Sequence, residues 1–288
     1  RIWFTVPAID GTVNQILALL TVNGDAGSDI LNAYDRGDGT ANNAELTDTR
    51  LTGLGMSEGI AYAGLEDLNI VLGGGGNTVK VRSTQAGTAT TIFLGAGSDT
   101  LYAGSTDADA TSTVNALAGP LTINGQAGTD TVTINDRGDA ADNTGTLTAM
   151  TLTGLGTAGI TYGGLETLRV QRGSGNDDFL IQSTNTGTIA YLDANTGDDL
   201  VVIGDATHTL AEMHGQIELE PGAGNDTVRI DNSAATANQS GILTSQDLTG
   251  FGLTIGIAYA AFENLELTLG QGKDNLFVAG TIAGTSVI

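Results

Sequence analysis

Cysteine is absent from the chain, which removes disulfides, thiolate metal ligands and cysteine nucleophiles together. Proline is nearly absent too: 3 residues in 288, with no proline-marked linker to divide the chain. Basic side chains number 10 against 33 acidic ones, a formal charge of −23. A surface of that sign lacks the Lys and Arg that hold nucleic-acid phosphates or an anionic membrane, so neither partner is expected. Aromatic residues make up 5%, too few for a long row of sugar-stacking rings. No run of 18 or more apolar residues occurs, so no membrane-spanning helix is expected. The chain opens on Arg1 with no basic-then-apolar leader, and it is read as a fragment or processed piece.

What remains is glycine, carboxylate and small apolar residues. Glycine is 43 of 288 and the apolar fraction is 40%, too high for a disordered acidic tail, so the chain is expected to fold. The excess of carboxylates is compatible with hard cations, above all Ca²⁺, which takes oxygen ligands.

Internal repetition dominates the pattern. NGDAGSDILNAYDRGD at Asn23–Asp38 returns as NGQAGTDTVTINDRGD at Asn124–Asp139, 101 positions later. The block LTGLGMSEGIAYAGLEDL from Leu51 returns from Leu152, and again from Leu248 as LTGFGLTIGIAYAAFENL. The chain therefore reads as residues 1–11 closing a preceding repeat, 12–112 as repeat 1, 113–208 as repeat 2 and 209–288 as an incomplete repeat 3. A third copy that stops in mid-unit suggests an array that continues in the natural protein.

Within each copy a Gly-x-Gly-x-Asp turn precedes an alternating apolar run, as in GAGSDTLY at Gly95 and GAGNDTVRI at Gly222. The second glycines stand at 27, 75, 97, 128, 175, 197, 224 and 272. Leu68, Ile70 and Leu72 alternate, as do Val79 and Val81, Val132 and Ile134, Phe179 and Ile181, and Leu265, Leu267 and Leu269. Period two with Val, Ile and Thr enriched predicts half-buried strands, and no segment shows helical periodicity. Gaps near 22, with 48 taken as twice that, suit a parallel β-solenoid whose chain returns to one edge after each coil, glycines supplying the corners. The alternative is a string of three β-sandwich domains of about 100 residues each.

The Gly-x-Gly-x-Asp turns resemble the glycine-rich nonapeptide of RTX proteins, G-G-x-G-x-D-x-U-x with U large and apolar. That resemblance implies a parallel β-roll with Ca²⁺ held in turns between stacked coils. The residues it assigns as metal ligands are Asp29, Asp99, Asp130, Asp177, Asp178, Asp198, Asp199, Asp226 and Asp274. In RTX proteins the turns follow one another every nine residues, whereas here each stands alone. One turn carries Asn77 and Thr78 in place of the aspartate and is the weakest candidate. The longer unit, with its LTGLG…GLE…L segment, resembles repeats in very large secreted or surface-exposed bacterial proteins. The competing reading of each aspartate is a turn former that satisfies backbone amides.

Other features read as structural. Arg36-Gly37-Asp38 and Arg137-Gly138-Asp139 spell an adhesion tripeptide but occupy equivalent places in a repeat, which favours a turn. Glu66, Glu166 and Glu263 recur within G-[LF]-E-x-L and are expected to bond a turn or neutralise an ion, while Tyr62, Tyr162 and Tyr259 are expected to pack on the stack. His208 and His214 fit no metal-ligand spacing, and Gly73–Gly76 lacks the Lys-Ser/Thr of a phosphate loop. The expected function is a non-enzymatic structural segment of an extracellular or cell-surface bacterial repeat protein, such as a filament, surface layer or adhesin stalk, with self-association end to end or laterally. A carbohydrate- or host-binding module is the alternative. A β-helix polysaccharide lyase or hydrolase is a third reading; it needs clustered basic residues, and Arg169 and Arg172 align with Asn69 and Leu72 in the first copy.

Overall fold

The computed structural model describes residues 11–106, 108–260 and 262–288, and no helix occurs among them. They form parallel β-solenoid coils in two compact units. Unit 1 takes the chain up to Asn135 together with Gly156–Glu166; unit 2 takes Asp136–Leu155 and Thr167–Ile288.

In unit 1 the chain alternates between two sheets. The first holds β1 (Leu20–Asn23), β3 (Asn43–Leu46), β4 (Arg50–Gly53), β5 (Ile60–Ala63), β7 (Thr78–Val81), β10 (Thr100–Ala103) and β13 (Thr131–Asn135). The second holds β2 (Ile30–Tyr34), β6 (Asp67–Val71), β8 (Ala89–Phe93), β11 (Leu121–Asn124) and β16 (Ile160–Gly163). The two-residue strands β9 (Ala96–Gly97) and β12 (Ala127–Gly128) pair with each other in the turns. Parallel register brings like residues into stacks: Ala44, Val79, Leu101 and Val132 form one column, and Leu46, Val81, Ala103 and Ile134 the next. All eight are buried. Each aliphatic side chain so removed from water contributes about 1.5–3 kcal/mol, and only the neighbouring coil makes that burial possible.

Unit 2 repeats the scheme. One sheet holds β17 (Thr167–Gln171), β19 (Ile189–Asp193), β21 (Gln216–Glu220), β23 (Ser240–Leu243), β24 (Asp247–Gly250), β25 (Ile257–Tyr259) and β27 (Asn275–Val278). The other holds β14 (Thr144–Leu147), β15 (Thr151–Gly154), β18 (Asp178–Ile181), β20 (Leu200–Ile203), β22 (Thr227–Asp231), β26 (Asn264–Thr268) and β28 (Ser286–Val287). Its columns are Phe179, Val201, Val228 and Leu265, beside Ile181, Ile203, Ile230 and Leu267.

The repeat block that begins at Leu51 is where the coil departs from simplicity. β3, β4 and β5 form an antiparallel meander within one sheet, so that β3 pairs with β7 while β5 returns to lie beside β1. Tyr62 and Tyr259 are buried beneath their meanders, each donating its hydroxyl to a carbonyl of the first hairpin, at Thr47 and Thr244. Tyr162 is buried as well. The meander changes the meaning of the spacings. Gaps of 22, 27 and 31 residues each span one coil, as the register Thr78↔Thr100↔Thr131 shows. The gap of 48 is not two coils. From Gly27 to Gly75 the chain crosses to the other edge, because the meander consumes its length inside a single half-coil.

From β1 to its counterpart β11 the chain makes seven crossings between sheets. Seven is odd, so equivalent strands of successive copies fall on opposite sheets. In unit 1, β1 and β5 pair in the first sheet, whereas their counterparts β11 and β16 pair in the second. In unit 2, β14 and β15 lie in one sheet and their counterparts β23 and β24 in the other.

Candidate functional site: carboxylate ladders in the turns

The turns close tightly because glycine permits it. Gly128 has φ +141°, and a Cβ there would lie 1.4 Å from the carbonyl oxygen of Gly97 in the neighbouring coil. Backbone stacks on backbone in the same way at Gly97, Gly197 and Gly224, and the aspartate two residues on is buried beneath it.

Those aspartates form a continuous chain of hydrogen bonds. In unit 1 the amide of Asn42 donates to Asn77 Oδ1 (3.0 Å), that of Asn77 to Asp99 Oδ1 (2.6 Å), that of Asp99 to Asp130 Oδ1 (2.9 Å) and that of Asp130 to Glu166 Oε2 (2.6 Å). Unit 2 also has five members, with Asp177 in the place of Asn77. The amide of Asn143 donates to Asp177, Asp177 to Asp199, Asp199 to Asp226 and Asp226 to Glu263, at 2.8–2.9 Å. At the opposite edge of unit 1 the amide of Asp29 donates to Glu66 Oε2, and in unit 2 that of Gln239 to Asp274 Oδ1. Each side chain caps the amide of the equivalent residue one coil back, and the recurrent glutamate closes the row. This bears out the reading of these aspartates as groups that satisfy turn amides, and of Glu66, Glu166 and Glu263 as turn partners.

Unit 2 adds an outer row that runs the other way. The amide of Asn176 donates to Asp142 Oδ1, that of Asp198 to Asn176 Oδ1 and that of Asn225 to Asp198 Oδ1, each at 2.8 Å. The corresponding residues in unit 1 are Gly76, Ser98 and Thr129, which lack the carboxylate or carboxamide that makes this bond.

The inner row has an electrostatic cost. Asp99, Asp130, Asp177, Asp199 and Asp226 are all buried. Oδ2 of Asp29, Asp99, Asp130, Asp177, Asp199 and Asp274 is also buried and accepts no hydrogen bond. Burial pushes Asp130 and Asp199 up to about 6, outweighing the amide bonds that favour the charged form, and it raises Asp99, Asp177 and Asp226 in the same direction.

Unit 2 answers this cost from within. Arg172, fully buried, places Nη2 3.7 Å from Asp199 Oδ1, donates from Nη1 to the carbonyl of Asp177 (3.2 Å) and lies over the ring of Phe179. Burial lowers the guanidinium's pKa, against the pull of Asp199, Asp177 and Asp226. In the other copies the same position is Leu72 or Leu269. Copy 1 pairs its leucine with neutral Asn77. Sequence reasoning missed this role, and the one signal was an arginine in the register of an apolar column.

The nine assigned aspartates are therefore not one site. Asp99 and Asp130 adjoin in unit 1, and Asp177, Asp199 and Asp226 in unit 2. Asp29 and Asp274 each stand at the opposite edge of their unit. Asp178 and Asp198 are exposed, Asp178 opening β18 and Asp198 serving the outer row. Among the described residues no three His, Cys, Asp or Glu side chains gather in a way that could hold a metal ion. The pair that best suits a hard cation is Asp99 with Asp130, where two unpartnered oxygens are buried without a neighbouring guanidinium.

Asp38 of the first adhesion tripeptide is buried and accepts from Asn14 Nδ2, Asn42 Nδ2 and both the amide and hydroxyl of Thr40. These bonds hold its carboxyl well below the usual range. A turn, not a receptor motif, explains it. His208 is exposed and pairs with Asp231 at 2.8 Å, and His214 is exposed beside Glu212. No protein-family model matches this chain, and none of the curated proteins is similar to it.

Proposed function

We propose that this chain is a structural segment of an extracellular bacterial repeat protein, a filament, surface layer or adhesin stalk. The observation that carries the reading is the five-member ladder of turn amides and Asn, Asp and Glu side chains, which recurs in both units and links each coil to the next. Such a ladder serves stacking and brings no substrate-sized set of groups together. Self-association, end to end or laterally, belongs to the same proposal. Calcium belongs to the proposal at Asp99 and Asp130, whose free oxygens and like charges a divalent cation would bring into balance.

Antibodies raised against the folded chain are expected to label intact, unpermeabilised cells of the source bacterium. Label confined to permeabilised cells rejects the extracellular assignment. The cation is tested by thermal unfolding with millimolar Ca²⁺ and again after chelation. A lower Tm on chelation that is lost in Asp130→Asn supports a site at that pair, and identical melts reject it. Cleavage of acidic polysaccharides by the purified chain would establish the enzymatic alternative instead.

A further inference from the structure

The outward face of β17, β19 and β21 in unit 2 carries a feature that the stacking does not require. A cavity of about 140 Å³ opens there, lined by Arg137, Arg169, Gln171, Tyr191, Asp193 and Glu218. Strand register sets the wall: Arg169, Tyr191 and Glu218 lie in one row across the strands, and Gln171, Asp193 and Glu220 in the next. The guanidinium of Arg169 sits 4.1 Å from the centroid of the Tyr191 ring, and Arg137 forms an ion pair with Asp193. Gln171 is only 8% exposed, and its Oε1 is buried with no hydrogen-bond donor. A buried carbonyl oxygen left unmatched is costly, so it marks a place where a donor from outside is favourable.

The same positions in copy 1 are occupied by Asn69, Val71, Thr91, Phe93 and Thr122, in the equivalent register. Arg36 is the counterpart of Arg137, but the coil folds there without the second guanidinium, a carboxylate or a tyrosine. The cluster in copy 2 is thus an addition to the scaffold.

The lining selects its ligand by elimination. An anion would meet Asp193, Glu218, Glu220 and the Gln171 oxygen, while the guanidinium groups of Arg137 and Arg169 already face Asp193 and the Tyr191 ring. A cation would meet two guanidinium groups. An apolar molecule would leave the Gln171 oxygen unmatched. A neutral molecule dense in hydroxyls satisfies every wall, since each O–H both donates and accepts. The volume lies below that of drug-sized pockets and suits a single ring. We propose that this face of unit 2 is a binding site for one neutral sugar residue of a glycan, held by Gln171, Asp193 and Glu218 against the Arg169–Tyr191 pair.

Saturation-transfer NMR and calorimetry with glucose, galactose, mannose and N-acetylglucosamine test it, with glucuronate and glucosamine as charged comparisons. At least one neutral sugar is expected to bind in the millimolar range and more tightly than either charged probe. The variant Gln171→Val with Tyr191→Thr installs the residues of copy 1. It is expected to keep its circular dichroism spectrum and Tm while binding falls about tenfold or more, the scale of one lost buried hydrogen bond with its ring contact. Glu218→Thr provides a second variant, with a loss in the same direction. Failure of all four neutral sugars to bind, tighter binding of a charged probe, or unchanged affinity in both variants overturns the proposal.

Discussion

Arg172 shows how one residue alters what its neighbours can be. A guanidinium taken out of water beneath three stacked aspartates depends on their charge, and it lowers the cost of burying them. Copy 1 reaches balance differently, with Leu72 under neutral Asn77. The two solutions should be exchangeable as pairs and not singly. Arg172→Leu is expected to destabilise the protein by about 3–5 kcal/mol, the usual cost of stranding one side of a buried ion pair. Adding Asp177→Asn, which recreates the pair of copy 1, should return a measurable part of that loss. Urea midpoints of the two single variants and the double variant decide it: strict additivity would remove Arg172 from any coupling to the ladder. In sequence a charged residue reads as surface, so nothing but its place in an apolar register betrayed this one.

At the scale of the element, the buried turn carboxylates share one direction of titration. Asp35, Asp130 and Asp199 are each raised to about 6 by burial, and Asp99, Asp177 and Asp226 are raised with them. Between the unfolded value near 4 and the folded value near 6, the folded chain holds protons that the unfolded chain releases. Stability therefore rises as pH falls through that window and is flat above it. Asp38, Asp109, Asp205 and Asp231 are lowered by side-chain and amide hydrogen bonds, so their contribution is lost only below about pH 4. In chelator, Tm should be higher at about pH 5 than at about pH 7.5, and should drop again below about pH 3.5. A steady decline from neutrality downwards would mean that the ladder carboxylates are not held in a costly charged state. The strands around these turns were legible from period-two alternation, and Val79, Val81, Val132, Ile134, Phe179 and Ile181 are buried as that pattern required. The amide-capping role of the aspartates was open as one of two readings. What one sequence could not convey was that Glu66, Glu166 and Glu263 close the same row, since their partners lie 36 or 37 positions away.

On the scale of the whole molecule, a coil is the quantity that can be added or removed. Residues 78–99 span one coil, because Thr78 and Thr100 occupy neighbouring rungs in the same register. Deleting them joins Asn77 to Thr100, sets β10 beside β3 and β11 beside β6, and leaves every turn at its edge. That variant is expected to fold with the same type of β spectrum and a slightly lower Tm. Deleting residues 78–88 alone removes half a coil and sends each later strand to the wrong sheet, so it should fail to fold. Equal behaviour of the two deletions, judged by circular dichroism and gel filtration, would refute the coil assignment. The solenoid class was legible in the spacing of 22. The spacing of 48 misled, because an antiparallel meander leaves no mark in a periodicity of apolar residues and looks like extra coil length.

The odd count of crossings in each copy gives the array a parity. Within a unit, what one copy carries at a given place on one sheet the next copy carries on the other, as β1 and β5 against β11 and β16 show. Duplicating a decorated copy once within a unit would therefore decorate both of its sheets.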